Sequence, residues 1–176
     1  MESKKQQELI DRLFSPDEQV VLKALEAIKE DGSAKMVEPL MTLVCKTGED
    51  WALVSERALH ILSSLKDSKA HTALLEAIDK EEFSSQTDRL LSAIWQSDIN
   101  ASEDVAKIVR VALKANYMAI FEAITIIESC EYVIPEDQII ESQLAVKFYL
   151  NENPKSEKLE IVENLLNTLN KMESYE

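Results

Sequence analysis

Apolar positions along the chain follow a helical period. In the segment VLKALEAIKEDGSAKMVEPLMTLV they recur three or four residues apart, first at Leu25 and Ile28 and then at Leu40 and Val44. This spacing places the apolar side chains on one face of each of two helices. Gly32, in the segment EDGS between them, suits the left-handed turn that commonly ends a helix. The pattern therefore predicts a helical hairpin.

The hairpin recurs along the chain with a period of 32 to 34 residues. The apolar anchors of the first helices are Leu25, Leu59, Leu91 and Ile124, and those of the second helices are Leu40, Leu74, Ile108 and Ile140. A hairpin of this length cannot bury its apolar face alone, so neighbouring copies stack into a continuous core. The spacing predicts an all-α solenoid of about four helical-hairpin repeats.

The same periodicity predicts one domain, residues 1–176, with a cap at each end. Residues 1–14 are the predicted N-terminal cap, residues 15–150 the four repeats and residues 156–172 the C-terminal capping helix. The repeat helices are expected at about 16–30, 34–46, 51–65, 68–80, 85–97, 103–115, 117–129 and 135–150. The inner face of the last helix is predicted from four apolar positions: Leu159, Val162, Leu166 and Leu169.

Several side chains have a more specific predicted place in these helices. Ser15, Ser85 and Asn100 precede helices and are predicted N-caps. The segment NYMAIFEAITII is apolar nearly all round, which predicts a helix buried on both sides. Four aromatic residues are assigned to core packing or repeat junctions: Trp51, Trp95, Tyr117 and Phe121. Trp51 is expected to be the most exposed of the four.

The copy that begins SPDEQVVLKALEAIKEDG carries a resemblance to a known family. The matching positions are Asp17, Val20, Ala24, Leu25 and Ile28, followed by Gly32, Ala34, Val37, Pro39 and Leu40. Over roughly residues 15–150 the chain resembles the HEAT-repeat family, in the form common in bacterial members. The resemblance implies a right-handed α-α superhelix whose second helices form a concave wall, where peptides or partner domains dock.

The sequence departs from the HEAT pattern at identifiable positions. The arginine position of the family's first helix holds Val21 and then Ser55, and the aspartate position of the second copy holds Trp51. The family's ladder of arginines and aspartates is therefore not expected here. The tetratricopeptide repeat has a similar period and is the alternative, but its signature of Trp, Gly, Tyr and Pro is absent.

Charge and cysteine content narrow the possible partners and location. Asp and Glu total 33 against 19 Lys and Arg, a net charge of −14, so nucleic acids and anionic membranes would be repelled. The start MESKKQQELIDRLF has no apolar signal core, and no stretch approaches about 18 apolar residues. Cys45 and Cys130 are far apart, which favours neither a disulfide framework nor a zinc site. A cytoplasmic protein is expected.

No arrangement of residues in the sequence predicts catalysis or cofactor binding. Phosphate loops, nucleophile elbows and paired-cysteine sites are missing, so no catalytic, cofactor-binding or metal-binding residue is assigned. Glu56 and His60 are four residues apart on one helix and are interpreted as an ordinary surface pair. His71 is interpreted as a partly buried, hydrogen-bonded histidine.

These observations favour a non-enzymatic protein–protein interaction or scaffold module that binds a partner protein or peptide. The candidate surface on the second helices comprises Glu38, Thr42, Thr72, Glu76, Lys107, Arg110, Lys114 and Glu141. Within it, Lys107, Arg110 and Lys114 form a basic stripe at positions i, i+3 and i+7. The stripe serves either ion pairs with the neighbouring repeats or partner docking. The acidic residues available for such pairs are Glu76, Asp79, Asp137 and Glu141.

Two other function classes remain open at this point. Some HEAT-like proteins resemble bilin lyases, which would make this chain an accessory enzyme subunit, although no acid, base or thiol gathers on one predicted face. Others resemble DNA glycosylases with a basic concave face, and the charge of −14 opposes that function. A third possibility is a structural subunit of a homo-oligomer. A monomer or a weak homodimer is expected.

Overall fold

The computed structural model describes residues 2–31, 33–97 and 99–173, and Gly32, the predicted turn residue, lies outside them. The described residues contain ten α-helices, three short 3-10 segments and no strand. The chain divides into two compact units, an N-terminal unit Met1–Ala77 and a C-terminal unit Ile78–Glu176. The all-α prediction is confirmed, whereas the prediction of a single domain stays a prediction.

The predicted helices are all present, with ends that differ from the structure by at most three residues. Those of the N-terminal unit are α1 (Glu2–Leu13), α2 (Glu18–Asp31), α3 (Ala34–Val44), α4 (Ala52–Leu62) and α5 (Ser68–Ala77). Those of the C-terminal unit are α6 (Thr87–Trp95), α7 (Val105–Lys114), α8 (Tyr117–Ser129), α9 (Glu136–Glu152) and α10 (Leu159–Glu173).

In the N-terminal unit, like helices of successive hairpins pack side by side. First helix α2 packs against first helix α4, second helix α3 packs against second helix α5, and α1 lies against α2 and α3. Leu25 and Leu40 are almost fully buried between these helices, as their apolar periodicity predicts. The buried Ser55 Oγ donates a 2.8 Å hydrogen bond to the Val44 carbonyl, one of those that the end of α3 leaves without a partner in its own helix. Ser55, at the family's arginine position, therefore joins α4 to α3 without any charge.

The C-terminal unit repeats this arrangement. First helices α6, α8 and α10 pack in sequence, and second helix α7 packs against second helix α9. Gln138 of α9 accepts a 3.1 Å hydrogen bond at Oε1 from the Ala106 amide, one of the N–H groups that the start of α7 leaves open. At the other end of α7, Lys158 Nζ donates to the carbonyls of Leu113 and Ala115 at 3.0 and 2.8 Å. A cation at this place also interacts favourably with the negative end of the α7 dipole.

One predicted core anchor of the C-terminal unit is wrong. Leu40, Leu74 and Ile108 are 0% exposed, but Ile140 is 44% exposed. Ile139, which is 7% exposed, takes the buried position instead. Both isoleucines are apolar, so the sequence spacing alone does not separate a 31-residue from a 32-residue step between second helices.

The inner face of α10 is also shifted from its prediction. Val162 and Leu169 are fully buried as expected, whereas Leu159 and Leu166 are only half-buried. Ile161 and Leu165 fill the interface with α8 and α9 in their place. The buried face is therefore centred about one residue earlier, because α10 must contact two helices at once. The polar outer face is exposed as predicted, at Glu160, Asn164, Asn167 and Asn170.

Two of the three predicted N-caps are corrected by the structure. Helix α2 begins at Glu18, so Asp17 caps it, with Oδ1 accepting a 2.9 Å hydrogen bond from the Gln19 amide, and Ser15 accepts from the Asp17 amide. Ser85 lies inside the 3-10 segment Glu81–Gln86 and caps nothing. Asn100 does accept a 3.1 Å hydrogen bond from the Ser102 amide, at the start of the 3-10 turn that leads into α7.

Candidate protein-binding surface

The second helices of the N-terminal unit present a polar surface. The predicted residues Glu38 and Thr42 lie on α3, and Thr72 and Glu76 lie on α5. The two threonine hydroxyls donate to carbonyls four residues earlier in their own helices, at 2.9 and 3.1 Å, so those donors are already used. Glu38, Thr72 and Glu76 are exposed, and Thr42 is half-buried. This surface is mainly acidic, as the sequence predicts.

The basic stripe on α7 contributes an ion pair between repeats. Arg110 Nη1 lies 3.1 Å from Glu141 Oε2 on α9, with about half of each side chain exposed. Lys107 Nζ pairs instead with Asp104 Oδ1 at 3.2 Å, within one turn of its own chain segment. Pairing between repeats is therefore confirmed for Arg110 and Glu141.

The other predicted members of these ion pairs behave differently. Lys114 is exposed and makes no ion pair with any described residue. Asp79 and Asp137, which the sequence predicts as partners of the stripe, are exposed and are likewise unpaired within the described part of the chain. Glu76 belongs to the N-terminal unit. Partner docking stays open for the stripe, and Lys114, which makes no ion pair with a described residue, has the charge most available for it.

The largest departure from expectation is an exposed apolar line on α9. Ile140, Leu144 and Phe148 are 44, 60 and 69% exposed and lie at positions i, i+4 and i+8, so they form one line about 12 Å long. We call these three residues the α9 stripe. Sequence reasoning missed it, because residues on both faces of α9 are apolar and the buried face was assigned one residue too late. The apolar residues on both sides of α9 are the sequence feature that could have predicted the stripe, because α9 is the last of the second helices.

A pocket of about 310 Å³ opens beside the first residue of the α9 stripe. It is lined by the end of α8, the α8–α9 loop, the start of α9 and the last turn of α10. The lining residues are Ile127, Cys130, Glu131, Tyr132, Val133, Ile134, Glu136, Ile139, Ile140 and Met172. We call it the Ile140 pocket. Its volume is at the small end of ligand sites, which span roughly 300–1,000 Å³.

The thiol in this pocket is not set up as a nucleophile. Cys130 is half-buried, and burial raises the pKa of its thiol above the ordinary value. The thiolate is the reactive form, so a raised pKa makes this thiol less reactive than an ordinary cysteine.

A second apolar surface lies on the first helices of the C-terminal unit. Trp95, Tyr117, Met118 and Phe121 are each 40 to 49% exposed, and we call them the α8 patch. The prediction that α8 is buried on both sides is therefore wrong. The aromatic residues of this patch are not core residues, but Trp95 does lie at a repeat junction, where it bonds Glu122 of α8. Within this unit α6, α7 and α10 cover only three sides of α8. Trp51, expected to be the most exposed aromatic residue, is half-buried under the Lys46 ammonium, 3.4 Å from its ring centroid.

The α8 patch surrounds one carboxylate with an altered pKa. Trp95 Nε1 donates a hydrogen bond to Glu122 Oε2. Desolvation raises the pKa of Glu122, the Trp95 hydrogen bond opposes that rise, and the Asp88 charge adds to it. The balance is a raised pKa, because desolvation is the largest of the three effects.

The remaining predicted residues are ordinary parts of the fold. His71 is half-buried and its Nε2 lies 2.7 Å from the Leu65 carbonyl, which confirms its predicted role. Glu56 and His60 are both exposed on α4. No three His, Cys, Asp or Glu residues in the described ranges gather as metal ligands would. None of the described helices has the length and apolar character needed to cross a membrane.

Comparison with known proteins adds little to this description. No protein-family model matches the chain, and no curated protein matches it either. Among solved structures, a designed armadillo repeat protein is similar to this chain at 15% sequence identity, covering 94% of this chain and 98% of that one, with a TM-score of 0.31. A TM-score this low bears on neither the site nor the function, so both are argued from the helices and side chains themselves.

Proposed function

We propose that this chain is a non-enzymatic interaction scaffold of HEAT-like type, which binds a partner protein or peptide through the second helices of its C-terminal unit. The α9 stripe is the observation that carries this proposal. The surface used would then be the predicted one on α7 and α9, extended from its charged residues to the apolar side chains beside them.

The physical support is the exposed apolar surface of the stripe, whose burial by a partner would stabilise the complex. Burying a large apolar side chain stabilises by roughly 1.5–3 kcal/mol, and Ile140, Leu144 and Phe148 are each only partly buried. A partner helix or groove recognises such a line of apolar side chains through contacts spaced three, four or seven residues apart. The neighbouring pair Arg110–Glu141 would form part of a polar rim, which affects the association rate more than the affinity.

The non-enzymatic part of the proposal rests on the state of the candidate groups. Burial raises the pKa of the thiol in the Ile140 pocket, and the acidic residues near it are exposed. A bilin-lyase-like accessory subunit would need a reactive group at its pocket, and Cys130 does not supply one. The absence of nucleic-acid and membrane partners, and a cytoplasmic location, remain predictions from the charge of −14 and the sequence pattern.

A homo-oligomeric subunit is the second candidate, and the α8 patch favours it. Four apolar side chains at 40 to 49% exposure could pair with their own copy across a two-fold axis. A charge of −14 on each copy opposes this association, which is consistent with no more than a weak homodimer.

The test compares capture by two matched double variants of the full-length chain. Leu144→Ser with Phe148→Ser removes the α9 stripe, while Met118→Ser with Phe121→Ser removes apolar groups of similar exposure from the α8 patch. Each tagged protein is cross-linked in cells of its source, and the bound proteins are identified by mass spectrometry. We expect wild type and the α8 variant to retain a common partner that the α9 variant loses.

Other results would contradict the proposal. Loss of the partner in the α8 variant alone would place the binding surface on the first helices. If wild type cross-links to nothing, or only to itself, the scaffold function is wrong. Circular dichroism of all three proteins checks that the variants remain folded.

A further inference from the structure

We infer that the partner of the C-terminal unit presents a basic amphipathic helix, which lies along the α9 stripe and inserts one bulky apolar side chain into the Ile140 pocket. This inference rests on the proposed function and specifies the chemistry of the bound segment. Four features of the unit support it: the continuity of the apolar surface, the size of the pocket, the sign of the surrounding charge and the absence of a strand edge.

The pocket and the stripe form one continuous apolar surface. Ile140 belongs to both, since it lines the pocket and begins the stripe. On the loop side of the pocket, Tyr132 and Val133 are 62 and 91% exposed. The apolar surface therefore runs from the α8–α9 loop across Ile140 to Phe148. A monomer would leave this surface in water, where it marks an interaction site.

The pocket volume limits what can enter it. At about 310 Å³ it is too small for a folded element and lies at the lower bound for a small-molecule site. One large apolar side chain fits such a space, as a central anchor does in many protein interfaces. The remaining contacts of the bound segment would fall on Leu144 and Phe148, one and two helical turns further along α9.

The charge around the pocket selects a cationic segment. Glu131 and Glu136 line it, Asp137 follows on the first turn of α9, and no Lys or Arg is among the lining residues. All three carboxylates are exposed and make no ion pair with a described residue. The α9 dipole stabilises Glu136 and Asp137 at its first turn, but Glu131 precedes that helix, so helix stability does not account for it.

Cationic residues near this surface are few. Lys147 lies on α9 and Lys171 adjoins Met172, and both are exposed without lining the pocket. The formal charge of the residues that line the pocket is therefore negative, and basic residues flanking an apolar anchor complement it. A second copy of this chain would bring another charge of −14 and the same acidic rim, so it fits the surface poorly.

The shape of the surface favours a helix over an extended segment. One common mode for extended peptides, the addition of a strand to a sheet edge, has no template here, because the described residues contain no strand. The α9 stripe follows an i, i+4, i+8 ridge that is inclined to the helix axis, and such a ridge packs into the groove of a partner helix with contacts every three or four residues.

The probes are two synthetic peptides of about 15 residues, long enough for several helical turns. Both carry Leu along one helical face, and the other positions are Lys in one peptide and Glu in the other. Fluorescence anisotropy measures the Kd of each labelled peptide for the full-length chain. We expect the Lys peptide to bind at least about tenfold more tightly than the Glu peptide, and its affinity to fall as salt rises.

Two variant pairs locate the binding. Ile140→Ser with Leu144→Ser should weaken the Lys peptide about tenfold, while Met118→Ser with Phe121→Ser should leave its Kd unchanged within about twofold. For charge, Glu131→Gln, Glu136→Gln and Asp137→Asn together should weaken binding several-fold and flatten its salt dependence. The matched control neutralises three exposed acids elsewhere in the unit, Glu157→Gln, Glu160→Gln and Glu163→Gln, and should have little effect.

The two cysteines give an independent readout of position. Cys130 lines the pocket, whereas Cys45 lies in the N-terminal unit, and both are half-buried. Bound Lys peptide should slow alkylation of Cys130 and leave that of Cys45 unchanged.

Several outcomes would overturn the inference. These are binding of neither peptide, preference for the Glu peptide, or equal effects of the test and control variants. A dimer in sedimentation that dissociates with Ile140→Ser and Leu144→Ser would mean that a second copy covers the surface. If cells yield a partner that needs the α9 stripe but the Lys peptide fails to bind, this inference is wrong and the scaffold function stands. If no partner is found, the scaffold function itself is wrong.

Discussion

The two units share one helix arrangement but differ in what their surfaces expose. Both stack first helices on first helices and second on second. In the N-terminal unit the well-exposed large apolar side chains are Phe14 and Leu53, which are not on its second helices. The corresponding residues of the C-terminal unit are Trp95, Tyr117, Met118, Phe121, Tyr132, Val133, Ile140, Leu144 and Phe148.

This difference shows that the repeat pattern determines which positions pack in the core but does not determine whether the outer surface is polar or apolar. Helix α3 buries Leu40 and Val44 and turns Glu38 outward, so it has one apolar face. Helix α9 buries Ile139 and Val146 but carries the α9 stripe on its other side. A helix forms whether its outer face is polar or apolar, so the second, apolar face of α9 is available for binding.

The largest effect on the free energy of unfolding should come from truncating one of the two adjacent isoleucines of α9 and not the other. Ile139→Ala removes a side chain that is 7% exposed and should lower the free energy of unfolding by about 2–5 kcal/mol. Ile140→Ala removes the 44% exposed neighbour and should change it by less than about 1 kcal/mol. Urea denaturation of both variants measures the difference. Equal losses would mean that the buried position of α9 is assigned to the wrong residue.

A smaller effect is expected at the Lys158 contact, where a charged donor caps the end of second helix α7. Lys158→Met keeps the aliphatic stem but removes the donor to the Leu113 and Ala115 carbonyls. Hydrogen bonds to charged groups contribute about 1.5–3 kcal/mol, and we expect a loss in that range from thermal or urea unfolding. The control is Lys155→Met, at an exposed lysine three residues earlier. A control that loses as much stability would contradict a specific role for Lys158.

The smallest effect concerns the ion pairs that join repeats in each unit. Arg110–Glu141 at 3.1 Å and Arg57–Glu26 at 3.5 Å are both about half exposed or more. Double-mutant cycles should give coupling energies of about 0.2–1 kcal/mol for each pair, and 1 M salt should reduce them.

This measurement also separates the two roles of the basic stripe. If Arg110 serves the fold alone, its coupling to Glu141 accounts for most of the stability loss of the neutral variant Arg110→Gln. A charge reversal at Lys114 should leave stability unchanged, because that side chain is unpaired among the described residues. A large loss at Lys114 would show that its charge is used by the fold after all.

The sequence predicted the helices far better than the surface. Apolar spacing located all ten helices, because each must bury one face against its neighbours whatever its other side chains do. It failed at Ile140, where two adjacent apolar residues compete for one buried position. It failed again on α8, because an apolar outer face can equally be a buried one until the neighbouring helices are known.

The candidate surface was predicted in part for a related reason. Charge pairing along α7 and α9 follows from repeat spacing, and Arg110–Glu141 confirms it. The Ile140 pocket could not be predicted, since it combines α8, a loop, α9 and the last turn of α10, which are up to 45 residues apart in sequence. Only tertiary packing brings such positions together.

The contact made by Lys158 also imposes an order on folding. The hydrogen bonds from α9 and α8 to the preceding repeat span 27 to 32 residues, whereas Lys158 reaches back 43 and 45 residues to Ala115 and Leu113. Closing a longer loop costs more chain entropy, and contacts far apart in sequence form late. During synthesis α7 can form its turns early. Its C-terminal carbonyls can accept hydrogen bonds from Lys158 only after more than forty further residues have been translated. We therefore expect the C-terminal end of α7 to be completed late in the folding of the C-terminal unit, only after the segment that carries Lys158 has been synthesised.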